Sequence, residues 1–247
     1  GFGVAYISKC YDSQNNSEDL AIGSKEDVYF NLNLNSKFKI ARNLELVSGV
    51  GFTHFSNGNT KRPNLGLNLV TASAGMVYFF DYQEPKRVNF IIPSVNKKSI
   101  EANLIYTAGV RGSDLDITRN FFASSLSANI LKGVGVKSKI GLGTDLFYDG
   151  TINLSRQDGG FDHDKKIYNY QAGVHLSYSL IYNKLSLMLQ PGIYLYSKMP
   201  STCPFYDRVG INYNLTEHLL ANLSLKTILF KANVIEWGLG YRFKTAS

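Results

Sequence analysis

The chain has 247 residues with 16 Tyr, 15 Phe, 22 Gly, six Pro and a formal net charge of +7, a length that suits one large β-domain or two small ones. No stretch approaches the roughly 18–20 apolar residues of a membrane helix, while a mean hydropathy of −0.11 fits a soluble protein and a transmembrane barrel equally, since barrel strands alternate apolar and polar residues. The Lys and Arg are scattered rather than gathered into one basic stripe, which argues against nucleic acid and for an anionic lipid surface.

Gly1 stands in place of an initiator Met, and no charged-then-apolar leader precedes the first strand, as expected of a mature exported protein or an expressed segment. Residues 1–9 read as a first strand. From Val28 to Ile40 one face carries Val28, Phe30, Leu32, Leu34, Ser36, Phe38 and Ile40, and the other Tyr29, Asn31, Asn33, Asn35, Lys37 and Lys39. Alternation of this length exceeds the five or six residues typical of soluble strands and reaches the roughly 9–11 that a tilted membrane strand needs. Further alternating runs fall at 44–57, 70–80, 100–110, 122–130, 136–148, 168–182, 185–195, 209–215, 219–227 and 235–243, twelve strands in all. Asn129, Asp145 and His175 project to the faces opposite the apolar rows.

Short connections (42–43, 132–133, 183, 216–217) alternate with longer ones (10–26, 57–65, 112–118, 149–166, 197–204), with 81–98 as the one long exception on the short side. Short periplasmic turns, long external loops and Tyr/Phe at strand ends are marks of an outer-membrane barrel. The expectation is an all-β fold over 1–247: a single closed antiparallel transmembrane β-barrel of about 12 strands. A soluble sandwich or lipocalin-like barrel would have to expose rows such as Tyr168/Tyr170/Val174/Leu176 or bury rows such as Asn31/Asn33/Lys37. Cys10 and Cys203 show no zinc-site spacing, and either a disulfide or two free thiols fits an oxidising compartment.

Within 44–57, His54 and Ser56 lie two apart, so on a strand both project from the face that carries Phe52, Val50 and Leu46. Polar groups on a lipid-facing row are costly unless they are used or paired. Serine ester hydrolysis needs a base, a group that orients it, and donors for the oxyanion. His54 fits the base and Ser56 the nucleophile. The chain reverses through 58–63, and the next strand's outward row runs back to Asn68, whose carbonyl can accept from the imidazole without offsetting its charge as a carboxylate would. The N–H groups of Ser56 and Gly58 are candidate oxyanion donors, with Asn57 and Asn64 bracing the loop. Lys61 and Arg62 could hold lipid phosphates, with Arg111, Arg119, Lys165 and Lys166 as weaker candidates. The plainer readings are a locally hydrogen-bonded His/Ser pair at an interface and loop cations that simply keep the loop solvated. His163, between Asp162 and Asp164, reads as a solvated loop more than a metal site, and His218 as a turn residue.

The run His54-Phe55-Ser56-Asn57, followed by Pro63-Asn64-Leu65-Gly66, resembles the lipid A 3-O-deacylase family of outer-membrane barrels. The resemblance implies a metal-free hydrolase of the Gram-negative outer membrane that cleaves an ester-linked acyl chain from lipid A or lipopolysaccharide. Its motif spans about fifteen residues, and the rest of the chain matches only as barrel. Two departures stand out: Asn68 falls where that family has an acid, and its known folds resemble eight-stranded barrels. The same stretch is also similar to outer-membrane phospholipase A, a twelve-stranded barrel with a His, Ser, Asn triad. His54-x-Ser56-Asn57-Gly58 and Asn68 match it in kind, whereas Pro63–Gly66 does not. That side of the resemblance brings in glycerophospholipid substrates, calcium and a homodimer, although 57–65 holds no carboxylate for calcium. A decayed, inactive barrel or a pore is the reading from a different class.

Overall fold

A computed structural model describes residues 1–83, 99–160, 166–199, 203–229 and 231–244. Among them are twelve strands: β1 (Phe2–Tyr6), β2 (Glu26–Ala41), β3 (Leu44–Ser56), β4 (Leu67–Tyr78), β5 (Ile100–Arg111), β6 (Phe121–Gly133), β7 (Ser138–Asp149), β8 (Tyr170–Tyr182), β9 (Leu185–Tyr196), β10 (Phe205–Asn214), β11 (Leu219–Ile228) and β12 (Lys231–Lys244). The strands fall where the alternation of apolar and polar residues places them, to within a few residues at most ends. The long connection after β7 is not open loop throughout, since it carries a helix, α1 (Thr151–Asp158), and a 3-10 turn at Lys166–Asn169. His163, its flanking aspartates and Lys165 lie outside the described residues.

The single twelve-stranded closure expected from the alternation is replaced by two sheets. Strands β1–β4 form an antiparallel sheet in sequence order, and β5–β12 close into an eight-stranded barrel. Closure at eight has a direct cause: β12 pairs with β5, from Trp237↔Ala108 to Lys244↔Glu101, so the eight keep no free edge. The chain accordingly divides into two compact units, the first holding β1–β4 and the second β5–β12 together with the segment Gly58–Arg62.

In the second unit the alternation sorts side chains cleanly. Leu142, Leu146, Ile130, Leu176, Leu239 and Trp237 are exposed, whereas Asp145, His175, Gln190, Arg208, Ser127 and Glu236 are buried. The inward groups satisfy one another. Arg208 donates to Glu236 at 3.2 Å, to Asp145 and Gln190 at 3.1 Å, and to Ser127 at 2.8 Å. His175 sits between Asp145 Oδ2 at 2.6 Å and Asn129 Oδ1 at 2.7 Å. Barrel diameter grows with strand number, and at eight strands the interior is just wide enough for side chains to fill. The polar rows therefore form a packed, hydrogen-bonded core rather than the wet interior expected of twelve strands. Unpaired buried charges would be prohibitive there, and pairing is what makes such a core tenable.

The first unit is a sheet with two chemically distinct faces. Cross-strand register aligns Phe30/His54/Asn68, Leu32/Phe52/Val70, Leu34/Val50/Ala72 and Phe38/Leu46/Met76 on one of them. The other aligns Asn31/Thr53/Leu69, Asn33/Gly51/Thr71 and Asn35/Gly49/Ser73, with Asn31 Nδ2 donating to Thr53 Oγ1 at 2.6 Å. Phe30, Leu32, Leu34, Phe38, Val50, Val70 and Met76 are all exposed.

Candidate active site

His54 is the polar end of the apolar row. It faces Phe30 on β2 and Asn68 on β4 in register, and Ser56, two residues further along β3, faces Val28. His54 Nδ1 lies 2.7 Å from Asn68 Oδ1. An amide oxygen can only accept, so the ring donates from Nδ1, and in the neutral imidazole this leaves Nε2 as the basic nitrogen. Among the described hydrogen bonds none joins Ser56 to His54. Such contacts are commonly long in a substrate-free site and tighten with substrate. Ser56 is buried and Asn68 exposed.

The loop after Ser56 is held from within its own unit. The Asn57 N–H donates to Asn64 Oδ1 at 3.2 Å, and Asn57 Nδ2 donates to Ser24 Oγ at 2.9 Å. Residues 65 and 66 run beside the segment before β2, where Leu65 N–H donates to Leu20 O at 3.1 Å and Gly66 N–H to Ala21 O at 3.0 Å. Gly66 has φ +78°, and a Cβ there would stand 2.6 Å from His54 Cε1 and 3.4 Å from Nε2. Only glycine lets the backbone pass this close to the ring edge that bears the basic nitrogen.

Gly58, Lys61 and Arg62 belong to the second unit. Gly58 has φ +63°, and its Cβ would run into the Ile235 side chain. Asn59, also at positive φ, donates from Nδ2 to Asn233 O at 2.8 Å and accepts from Gly112 N–H through its main chain. Arg62 is buried and pairs with Asp114 at 3.1 Å. Burial lowers the proton affinity of its guanidinium, Asp114 opposes that, and Arg111 adds to it. Arg62 is thus committed to a protein carboxylate, whereas Lys61 is exposed. Of the weaker phosphate candidates, Arg111 pairs with Asp149 at 2.7 Å and Arg119 with Asp116 at 2.5 Å. Cys10 and Cys203 are both free thiols.

The alternation did not single out Ser24 and Asp27. Asp27 is 2% exposed and accepts from Ser24 Oγ at 3.0 Å. Its only signal in the sequence is an acid immediately ahead of a long apolar alternation. Its importance depends on register, because the next residue, Val28, is the one opposite Ser56.

A family model described as acyloxyacyl hydrolase, C-terminal domain, matches residues 100–245, and one described as lipid A 3-O-deacylase matches residues 1–77. The chain belongs to this lipid A deacylase and acyloxyacyl hydrolase family. The 3-O-deacylase match spans the whole His54–Asn68 constellation, while the acyloxyacyl hydrolase match spans the strands of the eight-stranded barrel. Among curated proteins none matches this family member. Similar solved structures include a de novo designed transmembrane β-barrel, at 9% identity over 61% of this chain and 99% of that one, with TM-score 0.33. A mutant porin of Rh. blastica is 9% identical over 98% and 97% of the two chains, with TM-score 0.26. An outer membrane channel from Pseudomonas putida F1 is 14% identical over 89% and 84%, with TM-score 0.27.

Proposed function

We propose that this chain is an integral serine esterase of the Gram-negative outer membrane that removes an ester-linked acyl chain from lipid A. The observation that carries the reading is the 2.7 Å contact of His54 Nδ1 with Asn68 Oδ1, made two residues from Ser56 at the end of an exposed apolar row. Family membership supplies the substrate class. The whole chain would act as one outer-membrane barrel domain in the bilayer, where the apolar faces of both units meet acyl chains and bring the site level with the outer leaflet.

In that reaction Ser56 Oγ attacks the acyl carbonyl carbon while His54 Nε2 takes the hydroxyl proton. Collapse of the tetrahedral intermediate breaks the bond to the sugar oxygen, which leaves with the proton from His54. Water, deprotonated by the same nitrogen, then frees the fatty acid and restores Ser56. Main-chain N–H groups of the 56–58 segment stabilise the oxyanion. Asn68 holds the tautomer but leaves the imidazolium charge without a counter-ion on that side. Lys61 is the cation available to a lipid A phosphate, since Arg62 is bound to Asp114. No metal or cofactor enters the scheme.

A second reading, hydrolysis of glycerophospholipids, is favoured by one feature, the amide at position 68. Both readings are tested by incubating detergent-solubilised protein and its Ser56→Ala variant with purified lipid A, and separately with phospholipid and calcium, followed by mass spectrometry. Loss of one hydroxyacyl chain from lipid A with the parent alone supports the deacylase. Release from phospholipid only would move the assignment to the second reading. Inertness toward both, with β-type circular dichroism intact, would sink the esterase.

A further inference from the structure

The weak point of the proposed chemistry is charge. When His54 takes a proton it becomes a cation, and the amide of Asn68 orients the ring without neutralising it. A carboxylate nearby would lower the cost of that cation. The structure contains one that no part of the scheme uses. Asp27 is 2% exposed, and its Oδ1 accepts from Ser24 Oγ at 3.0 Å. Its Oδ2 is buried without a hydrogen-bond partner. Leaving a carboxylate oxygen buried and unpaired is costly, and such a cost is characteristic of groups retained for function.

Its place in the sheet gives that cost a use. Asp27 directly precedes Val28, the register partner of Ser56, and lies three residues before Phe30, the partner of His54. Ser24 Oγ, which donates to Asp27, also accepts from Asn57 Nδ2 at 2.9 Å. A continuous hydrogen-bonded path therefore runs from the carboxylate to the residue beside Ser56. The carboxylate is also within electrostatic reach of the His54 ring. The other charged groups of the surrounding segments are placed differently. Asp19 accepts from the main-chain N–H groups of Ala21 and Ile22, Lys25 and Glu26 are exposed to solvent, and β4 offers only neutral Asn68 at this level.

We propose that Asp27 is a positioning residue for the hydrolysis, its buried carboxylate stabilising the protonated His54 while its link through Ser24 holds Asn57 beside the nucleophile. The inference rests on the serine esterase reading for its purpose but not for its test. A negative charge nearby favours the imidazolium, so Asp27 raises the His54 proton affinity and its removal lowers it.

The test uses the full chain in detergent micelles, with the ring carbons of its four histidines labelled and His54 assigned through His54→Gln. Asp27→Asn should lower the His54 titration midpoint by about half a pH unit or more, and Asp27→Glu should restore most of it. On lipid A, Asp27→Asn should reduce kcat by roughly tenfold with KM little changed, and move the acid limb of the pH profile downward. An unchanged His54 midpoint and profile in Asp27→Asn would overturn the proposal. Should Asp27→Asn fail to fold, Ser24→Ala keeps the charge and cuts the link, and a kcat equal to the parent's would overturn it. If the parent hydrolyses no lipid at all, the esterase reading fails by itself, and the His54 titration still decides whether Asp27 acts on the ring.

Discussion

Gly66 and His54 are locked together by space: the backbone of one passes so near the ring of the other that a single methyl group would stand 2.6 Å from Cε1. The glycine is twelve residues along the chain from the histidine, beyond the loop that follows Ser56. Its φ of +78° also disfavours any side chain.

Gly66→Ala should therefore both strain the backbone, at about 1 kcal/mol, and tilt the imidazole away from Ser56. The expected result is a lipid A hydrolysis rate at least about tenfold lower, since misplacement of a catalytic group by about 1 Å can cost far more. Melting should fall only slightly. Parallel rate and thermal-unfolding measurements check it, and a rate equal to the parent's would contradict this role for the close approach.

Asn68 can be tested in both directions. Asn68→Ala removes the acceptor of the His54 Nδ1 proton, so the tautomer is no longer held and kcat should drop by about tenfold or more. Asn68→Glu adds a charge where the resemblance expects an acid, and it should raise kcat above the parent's. Both are read as kcat on purified lipid A, with KM as the control for binding.

Gly58 offers a rescue experiment. Gly58→Ala meets the Ile235 side chain and a φ of +63° together. Trimming the partner in Gly58→Ala/Ile235→Ala should recover the steric part and leave about 1 kcal/mol of backbone strain. Urea unfolding of the two single variants and the double variant resolves the two contributions.

The adjacent cations of the loop should behave differently. Lys61→Gln should raise KM for lipid A and leave the melting temperature unchanged. Arg62→Gln should lower the melting temperature instead, because Arg62 is buried against Asp114 and a broken pair with one buried partner is destabilising.

The filled interior of the eight-stranded barrel speaks to the pore reading. With Arg208 bonded to Glu236, Asp145, Gln190 and Ser127, planar-bilayer recordings should show no steady conductance. Arg208→Met should cost about 3–5 kcal/mol of stability, because it leaves buried carboxylates uncompensated.

The sequence by itself determined the strands, which side of each is apolar, and the residues that carry the chemistry. These depend on local physics: side chains alternate with a period of two along any strand, so Phe30 and Asn31, or His54 and Phe55, must part to opposite faces. The Asn68 position also followed, because a hairpin with a fixed reversal sets the register of β3 and β4. Only the tertiary structure decided where the sheet closes. Whether β12 pairs with β5 or β1 is a choice among edges distant in sequence, and alternation is blind to it. The same holds for Arg62, a loop cation by sequence that a partner on another loop takes up. It holds for Asp27, whose meaning comes from standing one residue before Val28 on the strand beside Ser56. Periodicity shows which way a residue points, and only register and pairing show what it faces.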